Sequence, residues 1–535
     1  MASPSPKSPE QSEKNKQYDR QLRLWGDHGQ AALENSHVCL INATALGTEI
    51  LKSIVLPGVG AITVIDHIIV SDEDIGTNFF LECSSKGINR GSETLRLLLE
   101  LNPAVQGHAV QETPEQILQD NPDFFKCFSV VITTSLGEKV VQKLAQHLWD
   151  INIPFVLCTS IGFLGSFRIQ INEHAIIEAH PENEQIDLRL DVPFPLLAEY
   201  LDAFNVDNQE LEGYGHIPWI VILYKAVQKW QITNQNRWPM SRKEKNEIKD
   251  IINEFVFKDE NGIPMELENF QETLRAVNTA LVPTFLPVYI QDLIYSSSAT
   301  NLTKESSPFW IMCSALRGFV EAEGKGKLPL RGVLPDMTAS TEHYVKLQSM
   351  YRAQAAMEAE IVYRKVQEIV AQLHCDSISE NEVKLFCRHA HNLFLIRGSN
   401  IAVEYQLGNA VASYIARYLE EPDVMMVHYI MLRAAEKFRS EHCRAPGEWE
   451  PEGDIAKLKT CVTKILSDIS CSPFSKDDHI HEMCRYGGAE IHSISAFLGG
   501  CIAHEAIKIV TKQYKPVNNT FVYDGASTNT ATFTF

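Results

Sequence analysis

The sequence predicts a doubly wound α/β domain assembled from both ends of the chain and interrupted by a long, mainly helical insertion. From His37 to about Ile171, short β-branched runs alternate with amphipathic stretches, the pattern of a parallel sheet covered on both faces. From about Glu178 to Asp478 the apolar spacing is mostly helical, broken by polar, Pro- or Gly-containing loops at 258–264 and 445–453. Near Arg485 the α/β pattern returns. The expected division is a tail at 1–17, a first α/β part at 18–172, the insertion at 173–484 and a closing α/β part at 485–535.

Residues 1–17 are rich in Ser, Pro, Lys, Glu and Gln and lack an apolar h-region, so they read as a disordered tail and not as a signal peptide. Strands are expected at 37–41, 61–65, 129–133 and 154–158, and helices at 48–56, 90–101 and 138–149. Within the insertion, Ile361, Val362, Val366, Ile369, Val370 and Leu373 recur at helical spacing and predict a core-facing stripe. At 492–509 a helix carries Ile494, Leu498, Cys501, Ile502 and Ile509 on one side, with Gly499 and Gly500 allowing close packing. A strand at 519–524 follows.

The chain has 535 residues, 44% hydrophobic and 22% charged, which is globular composition. Its net charge of −20 argues against nucleic acid or an anionic membrane as the main partner. No apolar run approaches the roughly 20 residues that cross a bilayer. The 12 cysteines are scattered without a C-x-x-C pair, which suggests reduced thiols in cytosol or nucleus and argues against a zinc ribbon. Two loose clusters, Cys387, His389 and His391, and Asp477, His481 and Cys484, lack a second pair at zinc-site spacing, so no metal is assigned.

The most informative stretch joins the first strand to the first helix. A nucleotide-binding fold places G-x-G-x-x-G there, and this chain has Asn42-Ala43-Thr44-Ala45-Leu46-Gly47. Gly47, which lets helix and strand pack closely, is kept. Asn42 can make the turn, whereas the Thr44 side chain stands where phosphate oxygens would press. Asp66 lies where a ribose-binding carboxylate is expected. The scaffold is present without the phosphate cradle.

Tyr18-Asp19-Arg20-Gln21-Leu22-Arg23-Leu24-Trp25-Gly26 resembles the Y-x-R-Q-x-x-x-x-G opening of the ubiquitin-activating-enzyme superfamily. The close is similar too, from Glu490-Ile491-His492 through Ala496-Phe497-Leu498-Gly499-Gly500 and Glu505-Ala506-Ile507-Lys508 to Asn519-Thr520-Phe521-Val522-Tyr523. Leu328-Pro329-Leu330-Arg331-Gly332-Val333-Leu334-Pro335-Asp336-Met337 is like the regulatory, non-catalytic branch that serves neddylation. The resemblance covers nearly the whole chain after the tail. It implies a Rossmann-like adenylation domain of the ThiF type, interrupted by a counterpart of the catalytic-cysteine half.

In the family's catalytic half, a carboxylate at the C-terminus of a ubiquitin-like modifier attacks the α-phosphate of ATP. That site takes a glycine loop, a ribose Asp, an Asn-x-x-Arg-Gln stretch, a lysine and a magnesium-binding Asp, which together neutralise phosphate charge. Here Asn42 and Thr44 replace two glycines, and Ile68 replaces the second acidic residue after Asp66. Asp74, Thr77 and Asn78 fall at the Asn, Arg and Gln positions, Arg90 takes the lysine position, and Ile132-Thr133-Thr134-Ser135 lacks the aspartate. The resemblance therefore implies that this chain binds no cofactor of its own, with Asn42, Thr44, Gly47 and Asp66 left as a degenerate loop. ATP, magnesium, zinc and the catalytic cysteine are implied for a catalytic partner subunit. The modifier, and a conjugating enzyme reached through the heterodimer, are the further implied partners.

Taken alone, Arg20 is a surface residue. The motif around it implies a guanidinium delivered in trans to ATP in the partner's site. Cys158-Thr159 resembles the family's thioester Cys-Thr, but its apolar strand offers no group to lower its pKa, so it reads as a buried structural thiol. Residues 328–344 read either as a rigid loop crossing the insertion or as a partner-facing segment, which makes Arg331, Gly332, Pro335, Asp336, Met337 and Tyr344 candidate partner contacts. The rival readings are a catalytically inert adaptor, an autonomous NAD(P)-dependent oxidoreductase and the small subunit for the SUMO pathway, which lacks so large a helical insertion. The missing glycines and the absence of a precedent for the helical insertion count against the oxidoreductase.

Overall fold

The computed structural model describes residues 16–535 apart from 183, 185, 205–210, 258–264, 407–409, 421–423 and 475. The loop expected at 258–264 and all but Lys16 and Gln17 of the expected tail lie outside these residues. The chain forms two compact units, one from Met1–Ile176 with Phe394–Phe535 and the other from Ile177–Leu393.

The first unit opens with helix α1 (Asp19–Glu34), kinked at Gly26, and strand β1 (His37–Ile41). Helix α2 (Ala45–Val55) and β2 (Ala61–Ile65) follow, then the short α3 (Asp72–Thr77) and α4 (Arg90–Leu99). Next come β3 (Gln106–Val110), α5 (Pro114–Asp120), β4 (Val130–Thr134), α6 (Glu138–Asp150) and β5 (Phe155–Ile161). Strands β6 (Leu164–Gln170), β7 (Glu173–Ile176), β8 (Phe394–Arg397), β9 (Thr520–Asp524) and β10 (Asn529–Phe533) complete the set.

Among the described residues, eight strands form one sheet in the order β10-β9-β6-β5-β4-β1-β2-β3. From β5 to β3 neighbours are parallel, while β6, β9 and β10 add on antiparallel. The order reverses between β1 and β4, and the crevice beyond their C-terminal ends is where an open α/β sheet binds ligands. One sheet face is covered by α2 and the helix His492–Thr511, with Leu40, Ile54, Leu498 and Ile502 in a shared core. That last helix is long and apolar enough to cross a membrane by length and composition alone, yet most of it is buried against the sheet and α2. A Cβ on Gly499 would come within 2.7 Å of the Glu49 Cβ, so a larger residue there would push the two helices apart. The opposite face carries α5 and α6, with Phe125, Leu144 and Leu148 in its core.

The boundary expected at 484/485 is corrected. The chain rejoins the first unit at Phe394, about 90 residues earlier. Helices Val424–His442 and Pro451–Asp468 bury Met426, Ile430, Phe438, Leu458 and Val462 against Ile161, Leu164, Val522 and Phe533 of the sheet. Helical spacing announces that such segments are helices; it does not say which core receives them.

The second unit is helical. Trp219–Thr233, Arg242–Phe255 and Glu268–Ala280 share a core with the first half of the 33-residue helix Thr341–Leu373. Of the expected stripe, Val362, Val366 and Val370 are buried in that long helix, which packs on Pro308–Glu321 and Glu380–Arg388, while Ile361, Ile369 and Leu373 are half-buried.

Candidate functional site

The crevice at the β1–β4 reversal is closed by the side chains that replace the family's ligand groups. Asn42 follows β1 with φ of 68°, a left-handed turn that Asn tolerates better than most residues. Its Nδ2 donates to the Thr134 carbonyl at 2.8 Å, and Thr134 Oγ1 donates back to the Asn42 carbonyl at 2.7 Å. Thr44 is the N-cap of α2: its hydroxyl accepts from Gly47 N–H at 3.4 Å and donates to Thr134 Oγ1 at 3.1 Å. The first turn of α2 therefore spends on its own chain the donors a phosphate would use. Gly47 keeps its packing role, since a Cβ there would sit 2.7 Å from the Asn42 carbonyl oxygen.

Asp66 is in the expected place at the end of β2 and is fully committed. One carboxylate oxygen accepts Ala43 N–H and Arg90 Nε, both at 2.8 Å, and the other accepts Ile68 N–H at 2.9 Å. Arg90 extends Nη1 to Asp74 at 2.8 Å, so one guanidinium bridges two carboxylates. Burial works against its charge, but Asp66 and then Asp74 hold its pKa above the ordinary value. Burial also opposes ionisation of Asp74, yet Arg90 and the Ser71 donors keep its carboxyl below the usual range. Asn78 is buried and donates to Thr48 Oγ1 at 2.9 Å. Asn42, Thr44, Asp74, Asn78 and Arg90, all at substituted ligand positions, have thus acquired internal partners, whereas the Ile68 side chain is exposed.

A further residue enters the crevice that the loop motif did not flag. Glu490, 444 positions from Leu46 in sequence, accepts Leu46 N–H at 2.8 Å on one oxygen and lies 3.4 Å from Ser135 Oγ on the other. Burial pushes its pKa up, against the pull of Leu46 N–H, Thr44, Arg90 and Arg439.

The opening motif splits between anchors and a free side. Tyr18 is buried and its hydroxyl accepts from Asn102 Nδ2 at 3.0 Å; Gln21 Nε2 donates to the Pro57 carbonyl at 3.0 Å; and Trp25 Nε1 donates to Gln30 at 3.1 Å. These three share one face of α1 by helical spacing. Arg20 is exposed on the other side. Cys158 is fully buried on β5, and burial raises its thiol pKa well above the ordinary value, the opposite of an activated nucleophile.

In the second unit, Leu328, Leu330 and Leu334 are buried and Met337 packs on the same core. Arg331 pairs with Glu184, and a Cβ on Gly332 (φ 72°) would be 2.8 Å from that of Ala355. Arg331, Gly332 and Met337 are therefore taken up within the unit, and Pro335 is half-buried. Asp336 is exposed, and half-buried Tyr344 reaches it with an O–O distance of 3.5 Å. His389 lies 3.6 Å from Glu178, and His391 lies 3.7 Å from Asp187; burial lowers both imidazoles to about 4. No group of three or more metal-ligating side chains is gathered among the described residues.

The profile of the ThiF family matches residues 18–535. The NEDD8-activating enzyme E1 regulatory subunit of Xenopus laevis is 46% identical over 524 residues, covering 97% of this chain and 98% of that protein. The Drosophila melanogaster protein of the same name is 45% identical over 539 residues, covering 99% of each. A regulatory subunit from Arabidopsis thaliana is 38% identical over 526 residues, covering 97% and 96%. Among solved structures, E. coli MccB with ATP covers 29% of this chain and 49% of its own at 15% identity and a TM-score of 0.27, too little to bear on function.

Proposed function

Because the chain belongs to the ThiF family, and within it to the NEDD8-activating enzyme E1 regulatory subunits, we propose that it works as the non-catalytic half of a heterodimer that adenylates the C-terminus of the modifier NEDD8. The catalytic subunit binds ATP, magnesium and zinc and carries the cysteine that takes the modifier as a thioester. A conjugating enzyme then receives it from the heterodimer. The observation that carries the reading is the Asp66–Arg90–Asp74 cluster, which turns the ribose carboxylate and the family's lysine position into a structural ion bridge. A chain with that cluster supports chemistry performed elsewhere. The closed crevice counts equally against an NAD(P)-dependent oxidoreductase.

Arg20 is this chain's contribution to the partner's site. The motif's anchors hold α1 without it, leaving the guanidinium exposed for a phosphate in trans. Exposed Phe79, Ile69 and Phe497 on the first unit supply apolar surface suited to a subunit interface. In the second unit the 328–344 segment offers a partner exposed Val333 and Asp336, with Tyr344 half-buried beside Asp336.

The test is ATP–pyrophosphate exchange by heterodimers at matched assembly. Arg20→Ala slows exchange tenfold or more, on the order of 1.4 kcal/mol of transition-state stabilisation, and Arg20→Lys recovers part of it. Equal rates for wild type and Arg20→Ala would leave the chain an inert adaptor.

A further inference from the structure

We propose that Gln513 is a positioning residue for Arg20: its side-chain amide, with the Tyr514 hydroxyl beside it, clamps α1 at its kink and so sets the direction in which the Arg20 guanidinium is presented. The inference goes beyond the reading of Arg20 as a group delivered in trans, and rests on it.

The kink divides α1 into two pieces. Gly26 has φ of 68° and ψ of 176°, far from helical values, so residues 19–25 form a short arm that meets the rest of α1 at an angle. The last carbonyls before such a break lose their partners on the next turn. Two of them are met by side chains from elsewhere in the chain. Gln513 Nε2 donates to the Trp25 carbonyl at 2.9 Å, and Tyr514 Oη donates to the Leu24 carbonyl at 3.4 Å. The same amide nitrogen lies 2.9 Å from His28 Nε2, beyond the kink, so one NH2 group bridges both pieces of α1. A Cβ on Gly29 would come within 2.9 Å of that nitrogen, which places the amide in the notch of the bend.

The clamp is itself held in place. Gln513 is buried and directly follows the helix His492–Thr511, which packs on α1. Lys512 and Tyr514, on either side of it, have φ of 54° and 57°, so Gln513 sits in a tight turn between two left-handed residues. Tyr18 and Gln21 hold the arm against Asn102 and the Pro57 carbonyl. The angle at which the arm leaves the rest of α1 is fixed at Gly26, where Gln513 lies. Six residues of helix give a lever of about 9 Å, so a change of roughly 10° at the kink moves Arg20 by about 1.5 Å. Misplacement of that size costs up to about 100-fold in a step that depends on orientation.

The test is a double-mutant cycle of Gln513→Met with Arg20→Ala, read by ATP–pyrophosphate exchange in heterodimers at matched assembly. Methionine fills the space and removes both donor contacts. With Arg20 present, Gln513→Met lowers kcat/KM for ATP by about threefold or more and leaves KM for the modifier unchanged; with Ala at position 20 it changes kcat/KM by less than about 1.5-fold. A Gln513 that only supports the fold would slow both backgrounds equally. Equal effects in the two backgrounds, or no effect with Arg20 present, overturn the proposal. Should Gln513→Met not assemble, Tyr514→Phe decides by the same comparison at about twofold. Arg20→Ala alone keeps the two readings apart. If it slows exchange while Gln513→Met acts equally in both backgrounds, the clamp falls and the proposed function stands; if it exchanges at the wild-type rate, both fall.

Discussion

Replacing Arg90 with methionine isolates what closes the crevice. Its side chain is 11% exposed and bridges Asp66, which is fully buried, to Asp74, which is 16% exposed. Removing one member of a buried ion cluster typically costs about 3–5 kcal/mol, because the remaining charges stay desolvated. Asp66 keeps Ala43 N–H and Ile68 N–H, and Asp74 keeps the Ser71 donors, so the low end, about 3 kcal/mol, is expected here. With two compact units a single unfolding free energy is ill-defined, and local opening is the better observable. Amide exchange over 42–47 and 66–74 should accelerate on the order of 100-fold at neutral pH in Arg90→Met. The pH dependence has a fixed sign. Asp74 is held below its unfolded pKa by Arg90, so its contribution is present above pH about 4 and is lost as pH falls through the folded value. The gap between wild type and Arg90→Met therefore narrows in acid. Arg90→Lys, which restores the family's residue, reaches only one carboxylate and gives an intermediate acceleration. An acceleration below threefold at neutral pH would mean that Asp66 is not committed to Arg90 and is available to a ribose, and the closed-crevice reasoning would fall.

Calorimetry of the full-length chain with magnesium and ATP should show no saturable micromolar site; a titratable one would contradict the closed crevice directly. Gly47→Ala places a Cβ 2.7 Å from the Asn42 carbonyl and 3.0 Å from Leu40 Cδ2, so a loss of about 1–3 kcal/mol from overpacking should lower the thermal midpoint despite the better helix former. Glu436, buried beside Arg433 and hydrogen-bonded by Thr159 and Tyr405, has its pKa raised to about 7, chiefly by burial. The stability it contributes is full below its unfolded value near 4.5 and lost as pH rises through about 7. Glu436→Gln should therefore flatten the decline in thermal midpoint between pH 5 and 8, by on the order of 1–3 kcal/mol, and an unchanged profile would refute the assignment.

The strands at 37–41, 61–65, 129–133 and 154–158 were legible because a parallel strand buried on both faces reads as an unbroken β-branched run. β3 and β10 were not legible. Gln106–Val110 lies at one edge of the sheet and Asn529–Phe533 at the other, each half polar and mostly exposed, and edge strands carry little apolar signal. The boundary at 484/485 failed for a related reason. Met426, Ile430 and Phe438 announce a buried helix equally well in either core, and only the partners Ile161, Leu164 and Val522 decide between them.

The site divides along the same line. Departure from the family's ligand set was legible because such a set is a short list of residue types at fixed offsets, and Asn42, Thr44, Ile68 and Arg90 each break it in place. What fills the vacancy was not, because compensation obeys no offset. Thr134 meets Thr44 from 90 positions away, Arg90 crosses 24 positions to Asp66, and Glu490 reaches Leu46 across 444. A crevice stripped of its ligand groups and left unfilled would hold uncompensated N–H groups and a buried carboxylate, each costing about 1–3 kcal/mol or more. The loop could therefore lose its glycines without loss of the fold only as these internal partners arrived. Arg20 escapes that constraint: it is exposed and binds nothing that holds α1. Under the proposed function its motif answers to a surface outside this chain, the partner's ATP site.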